Sequence, residues 1–157
     1  MKRLLAPVLL LLSIAAVAHP QKKKVKKAKQ KKETITKVSF ETFTRRENVT
    51  VSITKDSAIS IGRTGSKYTL TNADQWNKVL NSLKALQLSV IPKWVSPTKQ
   101  REYHGASHCR IWVSTKSKTY ESQYFDGGKP MKQLQALYDV IDEIRNNIDE
   151  EGKAYNK

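Results

Sequence analysis

Residues 34–70 read TITKVSFETFTRRENVTVSITKDSAISIGRTGSKYTL, and this stretch decides the fold. Apolar and polar side chains alternate through it in four runs, which begin near residues 34, 49, 59 and 68. Polar turn sequences separate the runs. Alternation with a period of two is typical of strands with one buried face, and turns this close join neighbouring antiparallel strands. The stretch therefore predicts a four-stranded antiparallel meander.

After residue 70 the apolar period becomes that of a helix. Asn72 and Gln75 have the spacing of a capping box, which predicts a helix N-terminus here, and Pro92 is predicted to end the helical run. The apolar positions of this first helix are Trp76, Val79, Leu80, Leu83 and Leu86. A longer amphipathic helix closes the chain, with Pro130 in its first turn. Its apolar positions are Met131, Leu134, Leu137, Tyr138, Ile141, Ile144 and Ile148.

Between the two helices lie a loop and a predicted hairpin. Residues 93–107 show no period, and loops of this size often carry function. Residues 108–114 and 119–125 alternate on either side of a turn at residues 116 and 117. A two-residue turn pairs Cys109 with Tyr124 and His108 with Phe125. Cys109 and Tyr124 then face the core, where a lone cysteine is commonly a small buried hydrophobe.

In the same register Arg110, Trp112, His108 and Phe125 face away from the core. The sequence thus predicts an α+β domain with an antiparallel sheet of about six strands, in the order four strands, helix, two strands, helix. Both helices pack on one sheet face. The other face is expected to be rich in Thr, Ser, Lys and Glu and open to water. One domain is predicted at residues 34–148, followed by a polar tail at 149–157.

Residues 1–18 are predicted to be a secretory signal peptide. Lys2 and Arg3 precede an apolar run, and the Ala-Val-Ala sequence at residues 16–18 supplies small residues for cleavage before His19. The apolar run is shorter than the about 20 residues of a transmembrane helix. We therefore expect export to the periplasm or the extracellular space.

Residues 19–33 are predicted to form a disordered, lysine-rich arm. The chain has 29 basic and 14 acidic residues, and eight of the basic ones lie in this arm, so the domain itself is only mildly basic. The eight are Lys22, Lys23, Lys24, Lys26, Lys27, Lys29, Lys31 and Lys32. The arm would bind a polyanion or an anionic envelope surface through counterion release, or it would be a solvated spacer. Both interpretations stay open.

Catalytic motifs are weak in this sequence. It contains no nucleophile elbow and no phosphate loop, its single cysteine excludes an internal disulfide, and it predicts no cofactor. An alternative function is a small hydrolase or metal-binding protein that uses His104, His108 and Asp126. A zinc site needs three or four ligands, and Asp126 is the only evident partner for the two histidines.

The predicted site lies where the loop 93–107, the turn 126–129 and the start of the last helix meet. Its candidate binding residues are Trp94, Arg101, Tyr103, His104, His108, Asp126 and Lys129. Aromatic and cationic side chains of this type would bind a glycan or a peptide, although Trp94 would instead anchor the loop to the core. Lys129 and Lys132 would form an anion pocket with the free amides of the last helix, or solvent would screen them.

Three short segments carry a resemblance: HGA at residues 104–106, KTYES at 118–122 and FDGGKP at 125–130. Together they resemble a pattern in small exported proteins of unknown function from Bacteroidetes-type bacteria. The resemblance covers roughly residues 35–148 and implies export, a strand-rich first half, a helix, a hairpin and a closing helix. An acidic residue often precedes the Gly-Ala pair in that family, where this chain has His104. We therefore expect an exported, non-catalytic binding or accessory protein.

Overall fold

The structure is a computed structural model that describes residues 33–46 and 48–155. The predicted signal peptide at residues 1–18 and residues 19–32 of the arm lie outside the described residues, so both stay predictions. The described part is mixed α+β, as the sequence predicts. None of its helices is long and apolar enough to cross a membrane.

The described residues form one antiparallel sheet. Its strands are β1 (Ile35–Phe43), β2 (Asn48–Ile53), β3 (Ser57–Gly62), β4 (Gly65–Leu70), β5 (His108–Thr115), β6 (Thr119–Glu121), β7 (Phe125–Asp126) and β8 (Lys153–Ala154). Their order is β6-β5-β1-β2-β3-β4-β8, and β7 also pairs with β5. The predicted count of about six is too low because the sixth strand is split into β6 and β7. In addition, β8 is too short to leave an alternating pattern.

Two α-helices, α1 (Ala73–Leu83) and α2 (Gln135–Glu151), cover one face of the sheet. The predicted capping box is present: Asn72 Oδ1 accepts from the Gln75 amide at 2.8 Å, and Gln75 Oε1 accepts from the Asn72 amide at 3.0 Å. The helices and the covered face share one buried apolar cluster. Its strand members are Val38, Phe40, Val51, Ile53, Ala58, Cys109, Ile111, Val113, Tyr120 and Phe125.

The helix ends differ from the sequence prediction. Helix α1 stops at Leu83, and Pro92 lies inside a separate 3-10 helix, Leu88–Lys93. The last helix begins with a short 3-10 helix, Lys132–Leu134, so Pro130 precedes the helix instead of forming part of its first turn. Beyond residue 148, where the predicted domain ends, α2 continues to Glu151, and the following residues form β8 against β4.

The predicted hairpin register holds only near its turn. Trp112 pairs with Glu121 and Val113 with Tyr120, as expected. After Glu121 the chain leaves the ladder and returns one residue out of register, so that Cys109 pairs with Phe125. The predicted pairs of Cys109 with Tyr124 and of His108 with Phe125 are therefore wrong. Phe125 is buried, and Tyr124 is exposed on the other side.

Ser122 accounts for this shift. Its amide donates to the Ile111 carbonyl at 2.9 Å, as in a regular ladder. The Ile111 amide, however, donates to the Ser122 hydroxyl at 3.0 Å instead of to a backbone carbonyl. A side chain thus replaces one ladder acceptor, and the strand is free to bend away. An irregularity of this kind re-aims the residues that follow it.

Candidate functional site

The sheet face opposite the helices, which we call the open face, carries large apolar side chains. Phe43 and Ile61 are 47% and 48% exposed, and both alternate with the buried positions of their strands. Tyr124 is also exposed and contacts the same face through Arg110. The prediction of a water-covered face rich in Thr, Ser, Lys and Glu is therefore wrong for this part of the sheet.

Arg110 stands at the centre of an ordered group on the open face. Its guanidinium lies 4.3 Å from the centroid of the Trp112 ring and 4.6 Å from that of Tyr124. It donates to Glu41 at 3.0 Å and also pairs with Glu121. Burial would lower the pKa of Arg110, but the two carboxylates outweigh that effect and raise it. We call these five residues the arginine cluster.

The rings continue from the arginine cluster toward the end of the sheet. The His108 ring lies between Tyr124 and Phe43, with centroid distances of 6.2 Å to each and steep interplanar angles. Edge-to-face packing at this distance is favourable because the positive edge of one ring meets the negative face of the next. The protein therefore has a continuous aromatic row, formed by Phe43, His108, Tyr124 and Trp112. The Arg110 guanidinium lies between the Tyr124 and Trp112 rings and contacts both.

A shallow cavity of about 310 Å³ opens at the Phe43 end of the aromatic row. Four predicted site residues line it, and one of them, Tyr103, is 75% exposed. The lining residues are Phe43, Arg45, Arg101, Glu102, Tyr103, His104, Gly105, Ala106 and His108. The structure thus brings Arg101, Tyr103, His104 and His108 together, as the sequence predicts. Phe43 and Arg45 are additions that the sequence reasoning missed.

Asp126 is a loop anchor. Its carboxylate accepts from the amides of Gln100 at 2.8 Å and Arg101 at 2.7 Å, and from the hydroxyl of Thr98. The Arg101 guanidinium lies 3.4 Å away. Burial would raise the pKa of Asp126, but these hydrogen bonds prevail and lower it to about 2. Both carboxylate oxygens are engaged in holding the loop against β7, so Asp126 is not placed to act as a general acid.

Two further predicted site residues also support the loop. Lys129 Nζ donates to Gln100 Oε1 at 3.0 Å. The last helix starts with the 3-10 helix Lys132–Leu134, and the Lys129 ammonium ahead of it is engaged with Gln100, so the anion pocket of Lys129 and Lys132 stays a prediction. Trp94 is partly buried against the apolar core and does not line the cavity. It therefore anchors the loop, which is the second of the two predicted roles.

The geometry does not support the metal alternative. Among residues 33–46 and 48–155, no three His, Cys, Asp or Glu side chains are close enough to hold a metal ion. His104 and His108 line the cavity, whereas Asp126 is turned to the loop amides. Cys109 is buried on the core face, with its sulfur 3.5 Å from the Thr42 hydroxyl.

A second cavity, of about 650 Å³, lies beside β6. Its lining residues are Pro92, Arg101, Thr119, Glu121, Ser122, Gln123 and Tyr124. Arg101 lines both cavities, and Tyr124 links this one to the aromatic row.

Comparisons of the chain with protein-family models, curated proteins and solved structures found no match.

Proposed function

We propose that the protein is an exported, non-catalytic binding domain that contacts its ligand through the aromatic row and the adjoining cavity. The observation that carries this proposal is the concentration of exposed rings at one end of the open face. Phe43, Tyr103 and Tyr124 are all more than 40% exposed and lie along or beside one row. Clustered exposed apolar surface, rimmed by polar residues, is typical of interaction sites.

The charged groups near the row favour binding over catalysis. Glu41 and Glu121 are paired with Arg110, and Asp126 is occupied by the loop. A carboxyl that acts as a general acid or base needs a pKa near the working pH, whereas the pKa of Asp126 is lowered to about 2. These groups hold other side chains and the loop in position, which is what a preformed binding surface requires.

Export is part of the same proposal. It is supported by the basic start, apolar run and Ala-Val-Ala site of residues 1–18. The resemblance to small exported proteins of Bacteroidetes-type bacteria agrees with it. We propose the periplasm or the extracellular space as the location, and an accessory role at the envelope as the context of binding.

Substitutions on the open face test the proposal. Tyr103→Ala and Tyr124→Ala each remove one exposed ring, and Val95→Ala is the matched control because Val95 is 73% exposed but does not line either cavity. Isothermal titration of the mature protein against panels of soluble glycans and peptides provides the measurement. We expect any saturable ligand to bind at least tenfold more weakly to the tyrosine variants and equally well to the control. A saturable ligand that is indifferent to both tyrosines would contradict the proposal.

A second candidate function is polyanion binding through the lysine-rich arm. It is supported by the eight lysines of the arm, which would bind an anionic surface through counterion release. Lys37, Lys116 and Lys118 are also exposed on the domain, so the turn between β5 and β6 is itself basic.

Heparin chromatography of the full mature chain tests this second function. Deleting residues 21–32 should lower the salt concentration needed for elution strongly, and a Lys116→Gln/Lys118→Gln variant should lower it slightly. A Lys84→Gln variant serves as a control because Lys84 is exposed at the end of α1. Elution that does not change on deletion of the arm would end this interpretation.

A further inference from the structure

The rings of the aromatic row are at least partly exposed, and contacts with neighbouring side chains fix two of them in position. Arg110 is stacked on Trp112 and Tyr124, and its two carboxylate partners hold it in place. The planar guanidinium suits this role because it can stack and form ion pairs at the same time. A ring that is already ordered loses little conformational entropy on binding. The row is therefore preorganised for a ligand that stacks on rings.

Charged groups lie beside the rings at the Trp112 end of this surface, where Arg110 contacts both Trp112 and Tyr124. Glu121 is about half exposed, and Glu41 and Arg110 are each about one-fifth to one-quarter exposed. A purely apolar ligand would remove these charges from water without replacing their hydrogen bonds, which is costly. Sugar rings instead offer apolar faces for stacking and hydroxyl groups at their edges. A row of rings with charged groups at one end thus matches a glycan better than a lipid chain.

The exposed rings also favour a glycan over a peptide. Peptide partners typically insert aromatic or aliphatic anchors into well-packed pockets. Here Tyr103 and Phe43 protrude, with exposed fractions of 75% and 47%, and the cavity between them is shallow. Protruding rings provide flat faces for stacking, as they do in surfaces that bind a linear chain of nucleobases.

The end of the sheet beside the cavity is basic. Arg45 and Arg46 are exposed in the β1–β2 turn, and Arg63 is exposed in the β3–β4 turn, where it reaches the Arg46 carbonyl at 3.5 Å. Of these, Arg45 lines the cavity itself. The acidic residue of the cavity, Glu102, lies 3.9 Å from its own partner, Lys99.

Glu47, which follows Arg46 in the sequence, lies outside the described residues and contributes one negative charge. The three arginines exceed it by two charges, so the net charge is positive. Resting on the function proposed above, we infer that the ligand is an acidic glycan. Its sugar rings stack along the aromatic row, and a carboxylate on the chain meets Arg45 at the cavity.

Titration with oligogalacturonate tests this inference. The protein is the full mature chain with the eight arm lysines replaced by glutamine, so that non-specific binding by the arm does not contribute. The neutral probe is the methyl-esterified oligogalacturonate, and the acidic probe without sugar is poly-glutamate. The variants are Tyr124→Ala, Arg45→Gln and the control Val95→Ala, each checked for an unchanged circular dichroism spectrum.

We expect oligogalacturonate to bind at least tenfold more tightly than either other probe. Tyr124→Ala should weaken its binding at least tenfold. Arg45→Gln should weaken oligogalacturonate binding about fivefold without affecting the neutral ester, and Val95→Ala should change nothing. If poly-glutamate bound as tightly as oligogalacturonate, the inference that the ligand is a glycan would be wrong.

Two other results would also be decisive. If the methyl ester bound as tightly as oligogalacturonate, the inference that the glycan is acidic would be wrong, but the proposed function of the open face would not be contradicted. If none of the three probes bound, the inference would fall, whereas the glycan and peptide panels with the Tyr103 and Tyr124 variants would still decide the proposed function.

Discussion

Replacing Asp126 with asparagine tests whether one carboxylate fastens the loop to the sheet. The substitution keeps the size of the side chain but turns an acceptor oxygen into an amide group, which would face the donors of Gln100 or Arg101. A pKa that falls from 3.8 to about 2 corresponds to about 2 kcal/mol of stability. The Asp126 side chain is only 3% exposed, but the loop that covers it lies at the surface. We therefore reduce the expected loss to about 1–2 kcal/mol to allow for screening by solvent.

The pH dependence distinguishes this mechanism from a general loss of packing. The pKa of Asp126 is lower in the folded state than in the unfolded state, so its stabilisation is present above about pH 4 and disappears as the pH falls toward 2. Urea unfolding of the wild type and Asp126→Asn should therefore differ at pH 6 and converge between pH 4 and 2.5. Asp56→Asn, in an exposed turn, is the control and should differ little at any pH. A wild-type-to-variant difference that stays constant from pH 6 to 2.5 would refute the reasoning.

Three other predictions follow from local features. Gly152→Ala would place a Cβ well inside van der Waals distance of the Ile148 carbonyl oxygen. We expect a loss of about 1–3 kcal/mol in the free energy of unfolding, measured with urea, and an unchanged midpoint would contradict the close contact. Asn72→Ala removes the capping box with Gln75 and should cost about 1 kcal/mol, measured in the same way, with a loss below the error of the method counting against it. N-terminal sequencing of the exported protein should begin at His19, and a product that retains residues 1–18 would show that the signal is not cleaved there.

The meander and the first helix cap were predictable because their determinants are local. Alternation fixes which side of a strand is buried, and a short polar turn requires the next strand to pair with it. The contact between Asn72 and Gln75 spans three residues and leaves a recognisable spacing. Elements of this kind are specified by the residues that they contain, and little from the rest of the chain can override them.

The arginine cluster was not predictable from the sequence. Glu41 and Arg110 are 69 residues apart, and they meet only because β1 pairs with β5 in one particular register. Alternation shows that both side chains lie on the open face, but not that they are directly opposite. The position of Tyr124 depended on a second non-local event, the hydrogen bond from the Ile111 amide to the Ser122 hydroxyl. Residue types alone do not signal that bond.

The sequence indicates where Asp126 lies in the candidate site but not what its carboxylate does there. The sequence places Asp126 and Arg101 near one another because the turn and the loop meet at the same end of the hairpin. It does not show that the partners of the carboxylate are backbone amides, because every residue other than proline has one. The Asp126 carboxylate, a catalytic candidate in the sequence, therefore accepts hydrogen bonds from the loop amides in the structure.

The central position of β1 affects how the chain can fold. It lies between β2, its neighbour in sequence, and β5. Val38 in β1 pairs with Val113 in β5, and most of the domain separates these two residues along the chain. The β1–β4 meander can form early, but both of its edges stay unpaired until β5 and β8 are available, and its apolar face stays uncovered until α2 packs on it. Closing so long a loop is entropically costly and slows folding. The native sheet is thus completed only when β5 and the C-terminal strand β8 are both available, which makes its formation depend on nearly the whole domain.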